Sequence, residues 1–133
     1  MSQFIDAVIL KGQTRQFTAT IQIRDEQNLN FVPFDLSPYV IRFRVMGSPT
    51  ADADVIVEHI ITQISNLETV GQITNPEAGE FTFTITAEDT NILGLGKKPI
   101  MIDILNADTQ TLVHTLTEGG ERGEFNKLHI VQV

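Results

Sequence analysis

Histidines, acidic pairs, serines and two arginines are the side chains of this sequence that could serve a reaction or hold a ligand. The three histidines, His59, His114 and His129, each stand alone in a strand-like run. A transition-metal site needs His, Cys or carboxylate groups gathered at ligand spacing, so these positions read as strand histidines. Asp52 and Asp54 make a D-x-D pair in TADAD. The glycine and spacing of an EF-hand calcium loop are missing, which leaves a solvated loop. Ser2, Ser37, Ser48 and Ser65 include no G-x-S-x-G elbow, the sharp turn that presents a nucleophilic serine to its base. In GLGKKP, residues 94–99, Lys98 and Pro99 follow the first lysine, where a phosphate-cradling loop needs Ser or Thr and then a helix. The carboxylates Glu77 and Glu80, and Glu118, Glu121 and Glu124, fall in loop-like stretches with no cleft to raise a pKa toward acid–base work. These residues give the reading of a protein that is not an enzyme and carries no metal and no cofactor.

Arg42 and Arg44 fall on the polar side of one strand-like run. Exposed strand arginines commonly pair with carboxylates across the ladder, and arginine is also enriched at interfaces. The chain as a whole is acidic, with net charge −8 and a pI near 4.7. Nucleic acids and anionic membranes carry the same sign, so neither is an expected partner. MSQFIDAVIL has no cationic start, and Asp6 breaks its apolar run, so no secretory signal is expected.

The elements that must position these groups are strands. Phe17, Ala19, Ile21 and Ile23 alternate with polar residues, as do Ile41, Phe43 and Val45, then Phe81, Phe83 and Ile85, then Ile100, Ile102 and Ile104. A period of two gives each strand one dry and one wet face. Residues 4–10, 55–62, 68–73, 111–117 and 127–133 are further strand candidates, the second of them dense in β-branched residues that fit a pleated surface. Gly, Pro, Asn and Asp clusters separate the runs. One helix is expected at residues 86–93: Thr86 can cap it, Glu88 and Asp89 sit in its first turn, and Gly94 can end it.

Seven to nine short strands with no helical crossover predict an all-β fold, a single antiparallel β-sandwich domain over residues 1–133. With 133 residues and no cysteine, its stability must come from packing and pairing rather than disulfides. In ITNPEAGEFTFTIT, residues 73–86, Asn75 to Gly79 should turn the chain and Phe81, Phe83 and Ile85 should enter the core. Thr82, Thr84 and Thr86 should cover the outer face, open to solvent or a partner.

The order of the motifs resembles the immunoglobulin-like β-sandwich of tailed-phage structural proteins, in particular the amino-terminal domain of the baseplate upper protein family. The likeness runs over residues 11–133 and rests on Gly12 and Thr14, on Asp35, Leu36, Ser37 and Tyr39, and on Arg42, Phe43 and Val45. It continues through Ile73, Asn75, Pro76 and Gly79, the stretch TAEDT at 86–90, and Gly96, Lys97, Asp103 and Ile104. Pro38 stands where that family tends to have glycine, and Pro99 to Met101 replace its aromatic pair.

The resemblance implies a structural virion component of a phage tail, baseplate or fibre attachment, made in the host cytoplasm and acting through protein–protein contacts. Its partners would be other virion structural proteins, with a homo-oligomer within the particle. The contacts expected on outward strand and loop groups are Arg42, Arg44, Glu118, Glu121, Arg122 and Glu124. A carbohydrate-binding module is the alternative; it would need exposed aromatic platforms, and the chain has no Trp and a single Tyr, Tyr39.

Overall fold

Alternating runs become strands throughout the computed structural model, which describes residues 6–24, 27, 30–47, 54–116 and 126–132. In chain order they are β1 (Asp6–Leu10), β2 (Arg15–Thr20), β3 (Gln22–Arg24), β4 (Phe31–Pro33), β5 (Tyr39–Met46), β6 (Val55–Ile61), β7 (Gly71–Asn75) and β8 (Glu80–Ile85). A short helix, α1 (Ala87–Leu93), precedes β9 (Gly96–Asn106), β10 (Leu112–Leu116) and β11 (Lys127–Val131).

The strands form two layers. The larger sheet has the order β1-β11-β9-β5-β6, with β10 also beside β9; the smaller has the order β2-β8-β7; β3 and β4 make a separate ribbon. β11 pairs with the first part of β9 and β10 with the last part, so the two occupy one edge of β9 in succession. Reading β2, β5, β6, β7, β8 and β9 as B, C, C′, D, E and F, with β10 and β11 sharing G, gives B-E-D against C′-C-F-G. This is the immunoglobulin-like sandwich, and the protein is an all-β molecule of that class. Pairing is antiparallel except between β1 and β11, which run parallel. The exception follows from the turn at Lys11–Gly12, where the chain leaves the large sheet and enters the small one. Its first strand thereby lies beside the last.

The inward side chains of both sheets make one core, including Ile21, Ile41, Phe43, Ile61, Phe81, Phe83, Ile85, Ile102, Ile104 and Leu128. The chain has no cysteine and no tryptophan, so the disulfide and ring that join the layers of antibody domains are absent. Stacked phenylalanines do that work. Phe83 of β8 lies 4.7 Å from Phe43 of β5 across the layers and 5.2 Å from Phe17 of β2. Burying each large ring contributes about 1.5–3 kcal/mol.

The segment 73–86 turns as its sequence requires. Pro76–Ala78 is a single 3-10 turn, and Gly79 closes it at φ +70°, a left-handed conformation that costs side-chain-bearing residues energy. Thr86 accepts from the Asp89 amide at 3.1 Å, and Asp89 Oδ2 accepts from the Thr86 amide at 3.0 Å, a reciprocal cap that fixes where α1 begins.

Three sequence expectations are corrected. Thr82 and Thr84 are buried: Thr82 Oγ1 lies 3.3 Å from Thr18 Oγ1, and Thr84 Oγ1 donates to the Leu67 carbonyl. β8 is the central strand, and the turn before β7 reaches over its outer face, so threonines serve as buried, bonded groups there rather than as a wet coat. The strand expected at 68–73 starts at Gly71, because Asn66 accepts the amides of Val70 and Gly71 in a turn. The run through Ile23 breaks at Ile21, whose amide bonds to Gly79, and β3 then pairs with β4, a strand not expected from sequence.

Candidate functional site

The two arginines singled out from sequence lie on β5, on the face turned away from the core. Alternation places Val40, Arg42, Arg44 and Met46 on that face. The ladder sets Leu105, Asp103 and Met101 opposite on β9, and Ile60 and Glu58 opposite on β6. Asp103 is the centre. Its Oδ2 accepts from Arg42 Nε at 2.8 Å, Arg42 Nη2 at 2.5 Å and Arg44 Nη2 at 2.6 Å.

The electrostatics explain the arrangement. Arg42 and Arg44 are two residues apart on one strand, so both guanidinium groups occupy the same face and repel each other unless an anion lies between them. Asp103 supplies it, opposite Arg42 and diagonal to Arg44. The carboxylate is 0% exposed, while the side chains of Arg42 and Arg44 are 31% and 19% exposed. The cations therefore shield the anion from water and keep one side open. Buried Asp103 Oδ1 and Arg44 Nε have no hydrogen-bond partner, so the triad is tightly held but not saturated. Glu58 stands opposite Arg44 on the same face, so two guanidinium groups and two carboxylates share the patch, with only Asp103 buried among them.

Around this patch the ladder places apolar side chains that remain accessible. Ile60, opposite Arg42, is exposed, as are Val55, opposite Met46, and Leu112, opposite Leu105. A second accessible apolar surface is the ribbon, where Ile23 and Val32 face each other and Phe31 is 58% exposed.

The remaining candidates have local structural partners. Ser37 donates to Asp35 Oδ1 at 2.6 Å, and its amide does so at 2.9 Å. These bonds hold the exposed Asp35 carboxyl below its usual range. Ser65 donates to the carbonyls of Gly71 and Thr62. Asp54 is exposed and its carbonyl accepts from the Gly47 amide, while Asp52 lies outside the described residues. Lys97 is exposed at the start of β9, in the helix-to-strand turn expected from its glycines. Tyr39 stacks on Phe34 with centroids 5.3 Å apart. Among the described residues no group of three or more His, Asp or Glu side chains could hold a metal ion. Glu118, Glu121, Arg122 and Glu124 lie outside the described residues.

His59 was read as an isolated strand histidine, and the fold gives it a partner from far along the chain. Its Nε2 lies 3.4 Å from Asp89 Oδ2 in the α1 cap, and its Nδ1 is 3.3 Å from the Val70 carbonyl. Burial pushes the imidazole pKa down, but the bond and charge of Asp89, helped by the Val70 carbonyl, outweigh it and raise the value. Burial likewise pushes the Asp89 carboxyl up, and the contacts with His59 and Thr86 more than offset it, leaving the value lowered. Only tertiary structure brings this pair together. The signal in the sequence was Asp89 itself, placed three residues after a capping threonine.

No family model matches the chain, and no curated protein matches it. Among solved structures the chain is similar to the NK cell receptor Nkp44, described as a triggering partner in natural cytotoxicity. That alignment has 15% identity and a TM-score of 0.47, and covers 100% of this chain and 99% of the receptor chain.

Proposed function

We propose that this protein is a non-enzymatic structural component of a tailed-phage particle, placed in a tail, baseplate or fibre attachment and working through contacts with other virion proteins and with copies of itself. One observation carries the protein-contact reading: the outward face of the large sheet holds two arginines immobilised on a carboxylate, bordered by accessible Ile60, Val55 and Leu112. Arginine and large apolar groups are favoured in protein interfaces, and side chains already fixed in place lose little entropy on binding. The resemblance of its motif order to that of baseplate upper proteins supports the particle assignment. The accessible ribbon residues Phe31, Ile23 and Val32 support contact over chemistry.

The test is association. Purified protein is passed over a sizing column with light-scattering detection, and tagged protein is used to capture proteins from phage-infected cells. Self-association or capture of virion proteins is expected, and Ile60→Asp with Leu112→Asp should abolish it while the far-UV circular dichroism stays unchanged. A strictly monomeric protein that captures no virion component refutes the reading.

A further inference from the structure

β6 ends the large sheet: β5 pairs with one side of it, and among the described residues no strand pairs with the other. Glu58, His59 and Ile60 of β6 all line one open groove of about 580 Å³, which the start of α1 closes on its far side with Glu88 and Asp89. Successive strand residues point to opposite faces, so a groove touched by all three runs along the strand's edge, where its backbone lies. Among the described residues, no backbone hydrogen bond joins residues 58–60 to anything beyond the β5 ladder. An unpaired edge of this kind is a template for a further strand.

The walls define the occupant. Glu58, Glu88 and Asp89 line the groove, Asp89 being held by His59, and among the described residues neither Lys nor Arg lines it. Ile60, 40% exposed, offers an apolar contact beside the carboxylates. A second copy of this chain is a poor fit, because each copy carries net charge −8 and would bring its own acidic edge to an acidic edge.

We infer that this groove takes an extended, basic segment of a partner protein, which adds as a strand to β6 and sets alternate Lys or Arg side chains against Glu58 and Glu88. Main-chain bonds supply affinity in this mode and the side-chain contacts supply selectivity. The inference does not rest on the phage assignment; it shares Glu58 and Ile60 with the outward sheet face but needs only the edge of β6 and the groove charge.

The experiment is a nuclear magnetic resonance titration of the intact protein with a capped hexapeptide of alternating Lys and Val. Two comparison peptides are used: one with Glu for Lys, and one N-methylated on alternate amides. Shifts confined to residues 58–60 and 86–89 are expected with the Lys peptide. Glu58→Gln with Glu88→Gln should weaken binding about five- to tenfold, the range of one or two partly screened charge contacts. The Glu and N-methyl peptides should not bind. The inference is overturned if the Lys peptide does not bind at millimolar concentration, if the Glu peptide binds equally well, or if the shifts map elsewhere. It is also overturned if the free protein self-associates by backbone pairing of one β6 edge with another, rather than through the sheet face, or if those residues 58–60 amides that point away from β5 are already protected from hydrogen exchange.

Discussion

Replacing Asp103 by Asn tests whether the arginine pair is organised by charge. The substitution keeps the volume and removes the anion that accepts from Arg42 at 2.8 and 2.5 Å and from Arg44 at 2.6 Å. Two guanidinium groups then share one face with no anion between them. Breaking a buried ion pair costs about 3–5 kcal/mol, and the 31% and 19% exposure of the arginine side chains lets water offset part of it. A loss of about 2–4 kcal/mol is expected after that discount. For a chain of this size the midpoint of thermal unfolding should fall by about 10 °C. Urea unfolding followed by far-UV circular dichroism measures the loss, with an unchanged slope showing that the same cooperative unit unfolds. The discriminating variant is the triple replacement of Asp103 by Leu with Arg42 and Arg44 both by Met. A buried triad exchanged for apolar groups of similar size is often neutral or stabilising, so it should lie within about 1 kcal/mol of the parent or above it. An Asp103→Asn protein within about 0.5 kcal/mol of the parent would refute the charge argument, since surface substitutions alone span that range. A triple variant as unstable as the single one would move the cause to packing.

Gly71→Ala should cost at least about 2 kcal/mol, the scale of overpacking against atoms that cannot give way. At φ +122° the added Cβ would stand 2.1 Å from the Thr82 carbonyl oxygen and 2.8 Å from Phe83 Cα. Gly12→Ala, where nothing lies within 4 Å, should cost only the conformational part, about 1 kcal/mol, and urea midpoints separate the two. The His59–Asp89 pair should stabilise the fold most between pH 3.8 and 6.5, the ordinary values of its two groups. His59 is raised on folding, so its contribution is complete below 6.5 and is lost as pH climbs through the folded value; Asp89 is lowered, so its contribution is present above 3.8 and is lost as pH falls through the folded value. Melting temperatures at about pH 5 and about pH 8 should therefore differ more in the parent than in His59→Gln; equal differences would show that the pair contributes nothing to the slope.

Much of the fold was legible because period-two alternation is a local signal with a global consequence. Phe81, Phe83 and Ile85 could be placed in the core from their spacing alone, and Thr86, Asp89 and Gly94 marked both ends of α1. The parallel pairing of β1 with β11 was not legible, since it depends on where the chain changes sheets at Gly12, and a turn signal does not say which layer follows. The burial of Thr82 and Thr84 was missed for a related reason. Polar alternation marks a strand's two faces, but whether a turn from elsewhere reaches the second one is a tertiary matter; for Thr84 the Leu67 carbonyl decides it.

The site shows the same division between what a residue needs and who supplies it. Asp103 sits in IMIDIL, a charge with apolar neighbours on either side. Desolvating a carboxylate there costs several kcal/mol, but alternation sets Asp103 on the polar side of its strand, so the sequence did not show that it would be buried. Arg42 and Arg44 read as strand arginines that commonly pair with a carboxylate across the ladder, with no particular acid named. The arginine half of the triad thus announced its need, and only the register Arg42 opposite Asp103 shows which carboxylate meets it. His59 gave no such warning, because a neutral imidazole in a strand is already tolerable without a partner. That asymmetry is physical: groups that cannot be buried alone declare their contacts in the sequence, and groups that can be buried either way leave them to the fold.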